Sequence, residues 1–326
     1  MEHRQALVIG GSGFVGRALV PALLSHGYEV TLLNRGTRSV EGTAQLVADR
    51  LEMSQMLSAG RETGSFDLVI DTCAYAARAT EIAWEVFSAK CRHWIQLSSA
   101  AVYRETPGRD PRESDHIGGA PVWGDYGVDK SACDDFLLAR ANPTSVTILR
   151  PPYLYGPGND NDRETFVWSR ALQGAPILIP TDGSTRIQFL HVEDLATAII
   201  ACANHRPERS AVYNVAAPER PSLIEWVNLM CEIAQCKNVG IPTGPNARSY
   251  TPRQYFPFRD YPCCVEEGRI TEEIGWRPRH DLRGGFASTY ESSNRDDLRM
   301  RPIGSDVERA IFSTIQMNRS RGMSHG

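Results

Sequence analysis

The segment Val8-Ile9-Gly10-Gly11-Ser12-Gly13-Phe14-Val15-Gly16 constrains this chain more than any other stretch of it. A strand-like apolar run, Gln5–Ile9, feeds straight into spaced glycines. Apolar residues at helical spacing follow: Phe14, Val15, Ala18, Leu19, Ala22 and Leu23. In that setting Gly10 permits a tight turn, Gly13 lets a pyrophosphate approach the backbone, and Gly16 lets helix and strand pack closely. Free N–H groups at the helix start then bind phosphate, so the loop predicts a dinucleotide site.

The rest of the first half repeats the alternation. Glu29–Leu33, Gln45–Ala48, Asp67–Asp71, His93–Ser98 and Ser145–Leu149 are short, mostly unbroken apolar runs, separated by helical patterns. Continuous apolar strands between helices mean a parallel sheet covered on both faces. Right-handed crossovers make it an α/β doubly wound (Rossmann) sheet. After Pro151, prolines and glycines break the chain into shorter pieces, with helices expected at Leu195–Asn204 and Leu223–Ala234 and a strand at Ala211–Val215. The stretch from Gly240 to Cys264 reads as an irregular surface segment. The expected division is a dinucleotide-binding domain of residues 1–156 and 189–217, and a smaller, discontinuous C-terminal substrate lobe of 157–188 and 218–315. A polar, frayed tail is expected over 316–326.

Composition removes several alternatives. A chain of 326 residues with 41% hydrophobic and 23% charged residues is neither disordered nor too short for about two folding units. No run approaches the roughly 20 apolar residues that span a bilayer, and Ala6–Ile9 lacks a signal-peptide pattern, so a cytoplasmic protein without membrane contact is expected. A net charge of -4 speaks against non-specific nucleic-acid binding. The eight cysteines form no C-x-x-C pair and read as reduced thiols, with no metal site expected.

The second strand ends on Asn34, where an NAD site usually carries an acid, and Arg35 and Arg38 follow. Missing negative charge beside guanidinium groups suits a 2′-phosphate, so NADP is favoured over NAD. Asp49 and Arg50 are placed to touch the adenine. Further along, Tyr126-Gly127-Val128-Asp129-Lys130 opens a helix. Residues four apart share a helix face, and an ammonium beside a phenol favours the phenolate and so a general base. Ser99, after the fifth strand, is placed to steady charge on a substrate oxygen.

These pieces resemble an extended short-chain dehydrogenase/reductase of the nucleotide-sugar epimerase/dehydratase group. The matching segments are Gly10–Gly16, Ser98-Ser99-Ala100-Ala101-Val102-Tyr103, Tyr126–Lys130, Arg150–Gly158, Phe189–Ala196, Tyr213-Asn214-Val215 and Gly275-Trp276-Arg277-Pro278. Within the group, Phe256–Asp260 leading to Gly275-Trp276 is similar to chloroplast stem-loop-binding proteins and their bacterial relatives. The resemblance implies catalysis by Tyr126, Lys130 and Ser99. It adds Phe14, Val15, Ala74, Ser98, Pro152 and Tyr153 to the glycines as cofactor contacts. It places Ser99, Ala100, Tyr155, Arg163, Arg186 and Arg259 at a substrate, a nucleotide sugar, with Tyr155–Gly158 at the rim of its cleft. It also permits a homodimer packed through the Tyr–Lys helix. The activity implied is an epimerisation through a keto intermediate. A ketone reductase is the alternative enzyme, and an RNA-binding relative without activity is the alternative of another class, resting on Arg277–Arg283 and Arg295–Arg301. Two departures narrow this. Ala100 and Ala101 stand where 4,6-dehydratases carry an acid pair, so dehydration is not expected. Ile187 stands where 4-epimerases carry an arginine, with Arg186 one step earlier and so on the opposite face.

Overall fold

The computed structural model describes residues 4–323, and its backbone falls into two compact units. Unit 1 comprises residues up to Leu154, Phe189–Pro218 and Cys264–His280; unit 2 comprises Tyr155–Gln188, Glu219–Cys263 and the chain from Asp281 onward.

Unit 1 is a seven-stranded, wholly parallel sheet. In chain order its elements are β1 (Arg4–Ile9), α1 (Phe14–Ser25), β2 (Tyr28–Asn34), β3 (Thr43–Val47), α2 (Met53–Arg61), β4 (Phe66–Asp71), α3 (Ala77–Phe87), β5 (Cys91–Leu97), α4 (Asp125–Leu138) and β6 (Ser145–Arg150). The strand Ser210–Asn214 completes the sheet. Across the sheet the order is β3, β2, β1, β4, β5, β6 and then Ser210–Asn214. The order reverses at β1, and ligands of open α/β sheets bind outside the strand ends at such a switch point. Two apolar layers sandwich the sheet. One gathers Ala6, Val8, Leu19, Leu23, Leu32 and Ile199; the other gathers Leu7, Ile9, Phe66, Val69, Phe87 and Trp94. Alternate residues of β1 thus face opposite layers, which is why its sequence is apolar throughout.

The segment Cys264–His280, expected in the second lobe, belongs to unit 1. Ile270 and Trp276 are buried in the first apolar layer, and the Trp276 indole donates to Thr197 Oγ1 at 3.0 Å. Asp194 fixes the segment's end by accepting from the Arg279 and His280 backbone N–H groups at 3.0 and 3.1 Å.

Unit 2 is built around aromatic side chains. Trp226 meets Phe258 edge-on at 4.9 Å, and Tyr155 packs on Phe286 at 4.1 Å. Tyr255, Phe256, Phe258 and Cys263 are all buried, so the stretch read as an irregular surface segment supplies core. Its prolines prevented a periodic pattern, yet its aromatics had to be buried. The tail expectation also changes. Helix Asp306–Met323 continues through residues read as frayed, and of that tail residues 324–326 lie outside the described residues. Ile311 and Ile315 bury one face of it, and the Arg170 guanidinium holds Glu308 at 2.8 Å. No described helix is long and apolar enough to cross a membrane.

Candidate active site

The glycine loop leaves β1 and enters α1 as its spacing requires. Gly10 has φ +87°, and a Cβ there would lie 2.5 Å from Cys73 Sγ. At Gly16 a Cβ would stand 1.9 Å from the Gly11 carbonyl oxygen, so only glycine lets α1 pack on the loop. Gly13 differs, because a Cβ there would meet nothing nearer than the Gly10 carbonyl oxygen at 4.0 Å. Gly13 is also the N-cap of α1 and has no side-chain cap. The first-turn N–H groups, Phe14 and Val15 included, therefore face an open cradle with a positive helix end. These residues fit the pyrophosphate of a nicotinamide dinucleotide.

Asn34 organises the loop after β2. Its carboxamide oxygen accepts the Gly36 N–H and the Gln45 Nε2–H, both at 2.8 Å, and its Nδ2 donates to the Arg38 carbonyl at 3.1 Å. Arg35 and Arg38 remain exposed. Arg50, expected at the adenine, is committed elsewhere. It grips the fully buried Asp71 at the end of β4 through both carboxylate oxygens, at 2.8 and 2.7 Å, and reaches Cys73 Sγ at 2.9 Å. Burial pushes the Cys73 thiol up to about 11, so it is a neutral lining group. Asp71 and Cys73 were not singled out in the sequence. The available signal was an acid closing the otherwise apolar run Phe66–Asp71, because a carboxylate at a strand end inside a sheet needs a partner. Ala74 is buried beside them.

Tyr126 and Lys130 both lie on α4, but their side chains diverge. Lys130 is 2% exposed and donates to the Leu97 carbonyl, at the end of β5, at 2.9 Å. Its ammonium sits 5.1 Å from the centre of the Tyr75 ring. Tyr126 is 43% exposed, and no hydrogen bond joins its hydroxyl to Lys130 among the described residues. Gly127 brings this helix to the strand end, since a Cβ on it would lie 2.7 Å from the Ala101 carbonyl oxygen. Ser99 caps the turn Ala100–Val102 by accepting the Ala101 N–H at 3.2 Å, which leaves its own O–H free to donate. Ser98 and Ala100 are buried on either side of it.

Behind α4 lies a buried polar network. Arg150 Nε donates to Asp134 Oδ2 at 2.9 Å, and Nη1 donates to Tyr103 Oη at 3.1 Å; Tyr103 in turn donates to Asn214 Oδ1 at 2.6 Å. Burial pushes the Tyr103 phenol up to about 12, so it stays a donor. Three of the motif segments, around Tyr103, Arg150 and Asn214, therefore meet as structure rather than as site. Pro152 and Tyr153 are buried, with Tyr153 edge-on to Trp123 at 6.4 Å. His191 caps helix Val192–Asn204 by accepting the Glu193 N–H.

Four of the residues expected at a substrate, Tyr155, Arg163, Arg186 and Arg259, belong to unit 2. Tyr155 is fully buried against Phe286. Arg163 lies over the Phe258 ring, next in sequence to Arg259. Arg186 is exposed and donates to the Arg220 carbonyl at 2.7 Å, while Ile187 is fully buried, the alternation expected of extended chain. In the basic stretches weighed for RNA, Arg283 pairs with Glu232 and Arg301 with Asp162.

The profile of the NAD dependent epimerase/dehydratase family matches residues 6–216. A chloroplast stem-loop binding protein of 41 kDa from Arabidopsis thaliana is 26% identical over 89% of this chain and 79% of its own length. A dTDP-4-dehydro-6-deoxy-D-allose reductase from a Streptomyces species is 28% identical over 71% of this chain and 81% of its own. Among solved structures, MoeE5 in complex with UDP-glucuronic acid and NAD superposes with a TM-score of 0.72 at 23% identity, covering 88% of this chain and 98% of that one. A UDP-N-acetylglucosamine 4-epimerase from Bacillus cereus does so with a TM-score of 0.70 at 16% identity, covering 93% and 98%. At those identities the two structures speak for the fold. The profile match spans the sheet, the glycine loop and the Tyr–Lys helix, and on it this chain belongs to the NAD dependent epimerase/dehydratase family, enzymes of the extended short-chain dehydrogenase/reductase class.

Proposed function

We propose that the chain epimerises a sugar, in the form of a nucleotide sugar, by proton abstraction at one carbinol. One observation carries this reading: the Lys130 ammonium and the Ser99 hydroxyl share the carboxyl end of β5, and Tyr126 stands one turn earlier on the helix that Gly127 seats against Ala101. Tyr126 Oη takes the carbinol proton, and Ser99 donates its O–H to the same oxygen as charge develops there. Lys130, held by Leu97, contributes a fixed positive charge in a dry environment, where it acts more strongly than in water. The backbone of Gly13–Gly16 holds the pyrophosphate, and the dinucleotide, when bound, supplies the acceptor and donor of hydride.

A second reading, a net ketone reduction with NADPH, is favoured by exposed Arg35 and Arg38 and by relatives named as reductases. Cofactor handling separates the two, because an epimerase keeps its nicotinamide through many turnovers whereas a reductase must exchange it. Nucleotide released on denaturing the purified protein, with inversion of a nucleotide sugar seen by NMR, is the expected result. Empty protein that consumes NADPH in proportion to ketone would overturn epimerisation in favour of reduction.

A further inference from the structure

Unit 2 contains a cavity of about 530 Å³, within the range of small-molecule sites. It lies between helix Glu164–Leu172 and the helices Leu282–Glu291 and Arg295–Met300. Its lining is unusual in which hydrogen-bonding capacity is left over. Thr289 donates its hydroxyl proton to the Gly285 carbonyl at 2.7 Å. Ser292 and Ser293 both donate theirs to the Thr289 carbonyl, at 2.8 and 2.9 Å. Toward the cavity these three oxygens can only accept.

The charged groups point the same way. Glu164 is 3% exposed, and its two carboxylate oxygens accept the neutral Asn159 Nδ2 at 3.3 and 3.1 Å. Asp297 adds a second carboxylate to the lining. The cation in the lining, Arg301, is committed to Asp162 Oδ2 at 2.7 Å and Thr165 Oγ1 at 3.0 Å. The Arg163 charge offsets the burial of Glu164 only in part, and without an ion pair among the described residues a buried carboxylate is costly unless a cation arrives. Donors remain as well: Asn294 lines the cavity and engages only its Oδ1, on the Asp296 and Asp297 N–H groups, and Trp168 lines it with a buried indole N–H that has no hydrogen-bond partner among the described residues. Buried donors of that kind are rare and ask for an explanation.

We propose that this cavity binds a small hydroxylated primary amine, such as an amino sugar or amino alcohol. The ammonium pairs with Glu164 and donates to the serine and threonine oxygens, an aromatic face beside it favours the cation, and a ligand oxygen accepts the Trp168 N–H. This goes beyond the hydride reading and does not rest on it, because the test reads binding and not turnover.

Calorimetric titration of the full chain near neutral pH compares glucosamine with glucose and N-acetylglucosamine, which lack the ammonium. Glucosamine is expected to bind saturably and at least tenfold more tightly than either. Because an ammonium draws Glu164 into its ionised form, binding releases a proton, and the heat scales with the ionisation enthalpy of the buffer. Glu164→Gln is expected to weaken glucosamine at least tenfold. Should that variant fail to fold, Trp168→Phe and Asp297→Asn read the same site, each weakening glucosamine several-fold. Absence of glucosamine binding, equal binding of the three sugars, or glucosamine affinity unchanged in the folded variants would overturn the proposal.

Discussion

Lys130 Nζ donates to the Leu97 carbonyl at 2.9 Å from a position 2% exposed, so the ammonium is fixed by the end of β5 and not by the phenol one turn away. The two groups therefore act separately, and their removal has separable consequences. Tyr126→Phe deletes only the hydroxyl of an exposed side chain, the group proposed to transfer the proton. It is expected to keep its circular dichroism and dinucleotide affinity while turnover of a nucleotide sugar falls by about two to four orders of magnitude. Lys130→Met leaves the Leu97 carbonyl without its donor, so it lowers turnover and also the melting temperature. Near-normal turnover in Tyr126→Phe would remove the phenol from the mechanism.

The glycine loop makes a paired prediction. A methyl group at Gly16 would stand 1.9 Å from the Gly11 carbonyl oxygen, whereas one at Gly13 meets nothing nearer than 4.0 Å. Gly16→Ala should lose both stability and dinucleotide binding. Gly13→Ala should melt near the parent temperature yet bind NAD or NADP at least tenfold more weakly, because its methyl group fills the cradle over the helix start. Thermal melts beside fluorescence titrations of NADH and NADPH decide it, and full affinity in Gly13→Ala would place the pyrophosphate elsewhere.

Arg35 and Arg38 are exposed, while Asn34 spends its carboxamide on the turn between them. If these guanidinium groups receive a 2′-phosphate, replacing both by alanine weakens NADP by roughly tenfold or more and leaves NAD nearly unchanged. In that case the NADP-to-NAD affinity ratio should also fall with added salt, as expected of exposed charges. Equal losses for the two dinucleotides would mean that the arginines only face solvent.

What was legible in the sequence follows from the range of each constraint. Strand positions were readable because buried parallel strands must be apolar throughout, and the loop's role was readable because its glycines act within a few residues. Long-range pairings were not. Nothing in the sequence of Arg50 says that Asp71, 21 residues on, will hold its guanidinium. Arg150 and Asp134 look like motif and surface residues until burial makes them partners at 2.9 Å. The aromatics of Tyr255–Phe258 sit among prolines without period, so their place in the core of unit 2 appeared only with the fold.

Two buried titratable groups, one in each unit, give opposite pH dependences. His191 is held neutral, its ordinary range lowered to about 4 by burial and by neighbouring His280, with Asp194 opposing. A histidine depressed in the folded state takes up its proton first in the unfolded chain. Its contribution is therefore complete above about pH 6.5 and is lost as pH falls toward 4, up to about 3 kcal/mol. Glu164 is pushed up to about 7 by burial, so the unfolded chain releases this proton first, and stability is lost as pH rises from about 4.5 to 7. His191→Asn keeps a side chain able to cap helix Val192–Asn204 and removes the titration. It should remove a loss of melting temperature toward acid pH, while Glu164→Gln should remove a loss toward neutral pH. Melting curves taken from pH 4 to 8 read both slopes. An unchanged acid slope in His191→Asn would mean that His191 takes up its proton as readily in the folded as in the unfolded chain, and once protonated its Nδ1 could no longer accept the Glu193 N–H that caps the helix.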